Sequence, residues 1–141
     1  MAVAPGSHLA IIAGENGDNA IGVLRLTPGG SEAVNCTFAF QNGGCAIADY
    51  AVASLPPIPP NGTNWAQGVD PHGVTAYKSP NDGQAYALLA NFPPTSVAVI
   101  DLQALITAPR TSCTGDGCVS HTVDPSYDLV GNNVVRFVST N

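Results

Sequence analysis

Apolar residues along this chain gather in runs of strand length, and two stretches carry the same plan. Ser7 to Leu26 (SHLAIIAGENGDNAIGVLRL) superposes without a gap on Gly83 to Leu102 (GQAYALLANFPPTSVAVIDL), 76 positions later. Each reads as an apolar run, a turn rich in Gly, Asn, Asp or Pro, and a second apolar run ending in Leu. Only Val23/Val99 and Leu26/Leu102 are identical, so the match is one of pattern. Self-similarity at a fixed offset points to stacked copies of one supersecondary unit, each needing a neighbour to bury its faces.

The runs predict strands near Leu9–Gly14, Ala20–Leu26, Cys36–Phe40 and Ala46–Ala53, then Gly73–Tyr77, Ala85–Asn91, Ser96–Leu102 and Val134–Ser139. Asn16-Gly17-Asp18-Asn19 and Pro93-Pro94 supply the hairpin turns, and Pro80-Asn81-Asp82-Gly83 turns the chain between a short strand and a long one. Leu55 to Pro71 (LPPIPPNGTNWAQGVDP) is a connector, because proline cannot donate to a ladder. Gln103 to Ala108, outside the strand plan and followed by Pro109, is the one place where a helical turn is expected.

Composition sharpens the fold class. Of 141 residues 45% are apolar and only 10% charged, with 15 Gly and 12 Pro, which is an all-β make-up with many turns. Four basic residues against ten acidic ones leave a net charge of −6, with no basic cluster to track phosphates, so nucleic acid is excluded as a partner class. No run reaches the roughly 18–20 apolar residues of a membrane-spanning helix. Met1 is followed by AVAPGS, without the basic and apolar regions of an export signal.

The cysteines nevertheless suggest an oxidising compartment. Cys36 with Cys45 and Cys113 with Cys118 each bracket a Gly-containing stretch, and local disulfides are expected; the alternatives are a four-cysteine zinc site, whose usual C-x₂-C knuckles are lacking, and free thiols. Sequons at Asn35 and Asn61 are candidate glycosylation sites and fit a secreted or cell-surface protein.

The run Asp70 to Leu102 resembles a blade of the β-propellers built from YVTN-type or NHL-like repeats. Pro71-His72-Gly73, Pro80-Asn81-Asp82-Gly83, Ala85–Asn91 and Val97–Leu102 stand in the order of that blade's landmarks. The first copy matches loosely: Met1–Ala4 is similar to the tail of an inner strand, Pro5-Gly6 to a shortened turn, and Arg25 stands where Asp101 stands. The resemblance implies antiparallel four-stranded propeller-like blades, one over residues 1–60 with the Pro-rich connector from 55, the other over 61–141. A ring needs roughly 4–8 blades, so two leave it incomplete. The chain is then part of a larger propeller, or assembles with copies of itself through open strand edges, or forms a β-sandwich instead.

Within the resemblance, Asp70 and His72 are the channel-mouth ligand candidates, because the innermost strand of a blade starts there. A metal needs three or four converging ligands and the chain offers one such histidine, so a backbone role for the Asp-Pro-His-Gly entry is preferred, and no metal or cofactor is expected. His8 and His121 belong to no motif, Asp70, Asp101, Asp124 and Asp128 form no pair by spacing, and no nucleophile elbow, zinc helix or phosphate loop occurs. The acidic turns Gly17-Asp18-Asn19 and Asp124–Asp128 lack a calcium loop's rhythm. Trp65 reads as a loop plug or a partner-binding ring. The expected function is a non-enzymatic extracellular scaffold or binding module, with other blades, copies of itself and glycans as partners. The alternatives are a fragment of a lactonase-like or metal-dependent propeller enzyme, permitted by the resemblance, and a subunit of an extracellular fibre.

Overall fold

The computed structural model describes residues 1–14, 20–28, 45–55, 70–92 and 96–139. They form β1 (Ala2–Ala4), β2 (Leu9–Ala13), β3 (Ala20–Pro28), β4 (Cys45–Ser54), β5 (Asp70–Lys78), β6 (Ala85–Phe92), β7 (Ser96–Asp101), α1 (Leu102–Ile106) and β8 (Val135–Ser139). The expected strand at Cys36–Phe40 lies outside the described residues. The eight strands make two four-stranded antiparallel meanders, sheet 1 in the order β1-β2-β3-β4 and sheet 2 in the order β5-β6-β7-β8. The fold is all-β.

Local chemistry explains the breaks. Between β5 and β6 the Asp82 carboxylate accepts from Gln84 N at 3.0 Å, and Gly83 takes the left-handed conformation (φ 71°) that costs a Cβ-bearing residue energy. At the end of β7, Asp101 Oδ1 accepts from Ala104 N at 2.9 Å and caps α1. Arg25, at the corresponding place in sheet 1, has no acceptor to offer, and there the chain continues as strand to Pro28. Asp101→Ala should cost about 1 kcal/mol, read as a thermal midpoint lowered by about 4 °C; no change would mean the cap is idle.

One core lies between the sheets. It takes Leu9, Ile11, Ile21, Val23, Ala51 and Ala53 from sheet 1, Ala85, Ala87, Leu89, Ala98, Ile100 and Val135 from sheet 2, and Leu102, Leu105 and Ile106 from α1. The inner strands β1 and β2 pack on β5 and β6, whereas α1 fills the space between β2–β4 on one side and β6–β7 on the other. The two sheets therefore form a wedge, close at their inner strands and held apart by the helix further out.

Backbone bonds reveal which faces meet. Along an antiparallel strand, side chains alternate between faces while N–H and C=O groups alternate between the two neighbouring strands, so the neighbour a residue bonds identifies its face. Leu26 N donates to His8 O at 2.8 Å and Gly14 N to Ala20 O at 3.1 Å, which turns the backbone of Leu9 and Ile11 towards β1. In sheet 2, Ser79 N donates to Gln84 O at 2.8 Å and Asp101 N to Val134 O at 2.9 Å, which turns the backbone of Ala87 and Leu89 towards β7. All four side chains enter the shared core. Because the sheets share one strand order and sense, they meet through opposite faces, front to back.

The equivalence of the two copies needs one correction. β3 and β7 correspond at the offset of 76, Val23 with Val99, but the pairs Ile11–Val23 and Leu88–Val99 match β2 to β6 at one position more. The intervening turn is one residue shorter in sheet 2, so the gapless superposition fails in its first strand. A one-residue slip exchanges the faces of a strand.

Candidate functional site

Front-to-back packing leaves each sheet with one face outside the core, and both are apolar. On sheet 1 this face carries Val3, Ala10, Ile12, Leu24 and Leu26; Ala10, Leu24 and Leu26 form a second, buried cluster with Val3 packed against it, and Ile12 is exposed. On sheet 2 it carries Thr75, Leu88, Ala90, Val97, Val99 and Val138. Gly73, Thr75, Leu88, Ala90 and Val97 line a shallow apolar groove there.

Matching the sheets strand by strand shows what these faces are. Leu88, Val97, Val99 and Val138 of sheet 2 occupy the positions of Ile11, Ile21, Val23 and Ala53, which sheet 1 buries in the core. Conversely Ala10, Ile12, Leu24 and Tyr50 of sheet 1 occupy the positions of Ala87, Leu89, Ile100 and Val135, which sheet 2 buries in the same core. The open face of sheet 2 is thus the counterpart of the packed face of sheet 1, and the outer face of sheet 1, buried at Ala10 and Leu24, is the counterpart of the packed face of sheet 2. Val138 is 51% exposed where Ala53 is 4%, and Ile12 is 42% exposed where Leu89 is 0%.

Polar groups frame the two faces. At one end of the sheet 2 face, Tyr77 and Tyr86 lie with ring centroids 5.8 Å apart and the Arg136 guanidinium lies 5.8 Å from the Tyr86 ring. The Tyr86 phenol donates to Asp82 Oδ2 at 2.9 Å, which holds the phenol above its ordinary value of 10.0. The Gln84 amide, followed by the Tyr86 phenol, holds the Asp82 carboxyl below 3.8. The pair's contribution is therefore full between these ordinary values. It is lost as pH falls through the lowered Asp82 value and as pH rises through the raised Tyr86 value. Absorbance titration should show one tyrosinate forming late, and Asp82→Asn should bring it back to the ordinary range; an unmoved titration would remove the bond. His8, just before β2, takes φ 57°, and its Nδ1 is buried without a hydrogen-bond partner among the described residues.

A clamp ties the segment between α1 and β8 to sheet 1. Arg110 Nη1 donates to Tyr50 O at 2.9 Å and Ser120 O at 3.3 Å, and Nη2 to Ile106 O at 2.6 Å and Asp49 Oδ2 at 3.2 Å. The His121 ring stacks on Tyr50 at 3.7 Å, and its Nδ1 lies 3.0 Å from Tyr50 O, an acceptor, so Nδ1 carries the proton. Val52 N donates to His121 O and Val123 N to Val52 O, both at 2.8 Å. The outer edge of β4 is in this way met at Val52 by residues 121–123. These partners give His121, which belongs to no sequence motif, a place in the clamp. No local signal could have found them, since Asp49 and Tyr50 lie 61 and 60 residues from Arg110.

Comparison with known proteins finds no matching family model and no significant match among curated proteins or solved structures.

The other expected site residues divide by place. Asp70 and His72 stand at the start of β5, the strand of sheet 2 nearest sheet 1, and His72 falls in the register irregularity between Pro71 and Gly73; their side chains lie outside the described atoms. Cys113 and Cys118 form the expected disulfide in an exposed loop. Cys36, Asn35, Asn61 and Trp65 lie outside the described residues, so the Cys36–Cys45 pairing and both sequons stay expectations. Asp124 Oδ1 accepts from Ser126 N at 2.8 Å and Ser126 Oγ at 2.7 Å, and Asp128 Oδ1 from Gly131 N at 2.8 Å, as in ordinary turns. Among the described residues no three metal-ligating side chains converge, and no helix is long and apolar enough to cross a membrane.

Proposed function

We propose that this chain is a non-enzymatic extracellular scaffold or binding module made of two propeller-like blades, working inside a larger stack of such blades. The observation that carries the reading is the pairing of faces: two sheets stacked front to back, with sheet 2 presenting outward the counterpart of the surface that sheet 1 buries in the shared core. Wedge-shaped packing, close at the inner strands and spread by α1, supports blades arranged about an axis near β1 and β5. Such an arrangement supports reading Asp70 and His72, at the start of β5, as channel-mouth ligand candidates. The Cys113–Cys118 disulfide supports an oxidising, extracellular setting.

Native mass and an apolar-surface dye together test the reading. Either a particle larger than the 14.3 kDa chain, or a single chain that binds the dye on the open face of sheet 2, is expected. A stable single chain that ignores the dye would contradict it, because that face would need no neighbour.

A further inference from the structure

We propose that residues 109–124 form a redox-set cover over the outer edge of sheet 1, held shut by the Cys113–Cys118 disulfide and released by a dithiol reductant. The segment is a hairpin. Thr111 N donates to Thr122 O and Asp124 N to Pro109 O, both at 2.8 Å, and the Thr111 and Ser120 hydroxyls are bonded across the stem. The second arm lies parallel to β4, with Thr122 bridged to Val52. An uncovered edge strand presents N–H and C=O groups to any extended chain that arrives. At Tyr50 and Val52 those groups are taken. Val52 N donates to His121 O and Val123 N to Val52 O. Tyr50 O accepts from Arg110 Nη1 and from His121 Nδ1, while Tyr50 N donates to the Asp49 carboxylate that also holds Arg110.

The disulfide is the covalent tie between the two arms. Beyond the stem the loop is exposed, and Gly115 (φ 116°) and Gly117 (φ 74°) give it backbone freedom that the closed hairpin must restrain. Joining Cys113 to Cys118 removes much of that freedom before the arms meet, so the cross-link favours closure. Arg110 and His121 stand at the roots of the arms, and a hairpin that opens loosens their grip on β4. Both cysteines are exposed, which gives a reductant access. A thiolate of the dithiol attacks one sulfur and forms a mixed disulfide, and its second thiol then displaces the protein sulfur. Two electrons and two protons pass to Cys113 and Cys118, and the reductant leaves as a cyclic disulfide. In an oxidising setting the cover stays shut.

Amide hydrogen exchange reads the cover directly. On reduction with dithiothreitol, exchange at Val52 and Val123 should speed up by roughly 10- to 40-fold, the closure lost with so short a ring. Leu89, in the shared core, should keep its rate, and reoxidation should restore the other two. Dithiothreitol would also open the expected Cys36–Cys45 pair, so the double variant Cys113→Ser/Cys118→Ser isolates the effect. It should show the fast rates at Val52 and Val123 without reductant, and reductant should add nothing there. Unchanged rates at these two amides on reduction overturn the proposal. Equal acceleration at Leu89, or a double variant that does not fold, also overturns it, because the disulfide would then tie the whole fold. A double variant whose Val52 still responds to reductant overturns it too, since another cysteine pair would govern the edge.

Discussion

Ile11→Asp is expected to unfold the chain, and Leu88→Asp to leave it folded. The two residues hold the same position in their sheets, and their hydrophobicity is alike. They differ in what lies over them. Ile11 is fully buried between the sheets, so a carboxylate there loses its water with no partner to replace it. The cost is several kcal/mol per buried ion, set against a total stability of roughly 5–15 kcal/mol for a domain. Leu88 lies half-buried on the open face, where an aspartate keeps access to water in the single chain and meets a desolvated apolar surface only on docking. Circular dichroism melts on both variants read the contrast. Equal loss of fold would place Leu88 in the core.

Leu105→Ala is expected to lower stability by about 3 kcal/mol, the cost of emptying a buried leucine site that cannot fully collapse. Leu105 sits on a five-residue helix that could not persist alone, and its side chain is fully buried where α1 spreads the sheets. Removing it empties part of the space that α1 fills between the sheets. A drop of about 10 °C in the thermal midpoint is expected. Gln103→Ala, half-exposed on the same helix, should stay within about 0.5 kcal/mol of wild type. A loss below about 1 kcal/mol at Leu105 would mean that the sheets hold together without the helix.

Much of the fold was legible along the chain. The apolar runs mark β2, β3, β4, β6, β7 and β8 to within a few residues, and Asp101 with Pro109 brackets the helical turn. What the pattern could not tell is which face of each strand is inside. Runs such as Leu9-Ala10-Ile11-Ile12 and Ala85–Asn91 are apolar at successive positions, because one face serves the internal core and the other face is apolar as well. Without alternation between polar and apolar there is nothing to register the period of two, and a slip of one residue between the copies left no trace. The clamp was illegible for a different reason: Arg110 reaches Asp49 and His121 reaches Tyr50 across 61 and 71 residues, so no local spacing announces them. The run Asp70–Gly73, expected from the resemblance to be a channel-mouth motif, was the reverse case, conspicuous in sequence and found at a register irregularity at the start of β5.

The front-to-back relation of the sheets underlies the stacked-blade proposal, and nuclear Overhauser contacts measure it most directly. In a non-hydrogen-bonded pair the Cα atoms lie about 4.5 Å apart, against about 5.5 Å in a hydrogen-bonded one, so facing Hα protons are close only in the former. The expected result is strong Hα–Hα contacts for Ile11 with Val23 and for Leu88 with Val99, together with side-chain contacts from Ala87 and Leu89, and none from Leu88, to the buried residues of sheet 1. Strong Hα–Hα contact between Ala87 and Ile100, with Leu88 side-chain protons near Ile11, would contradict it: the sheets would then meet through equivalent faces, and the outward face of sheet 2 would not be the counterpart of the packed face of sheet 1.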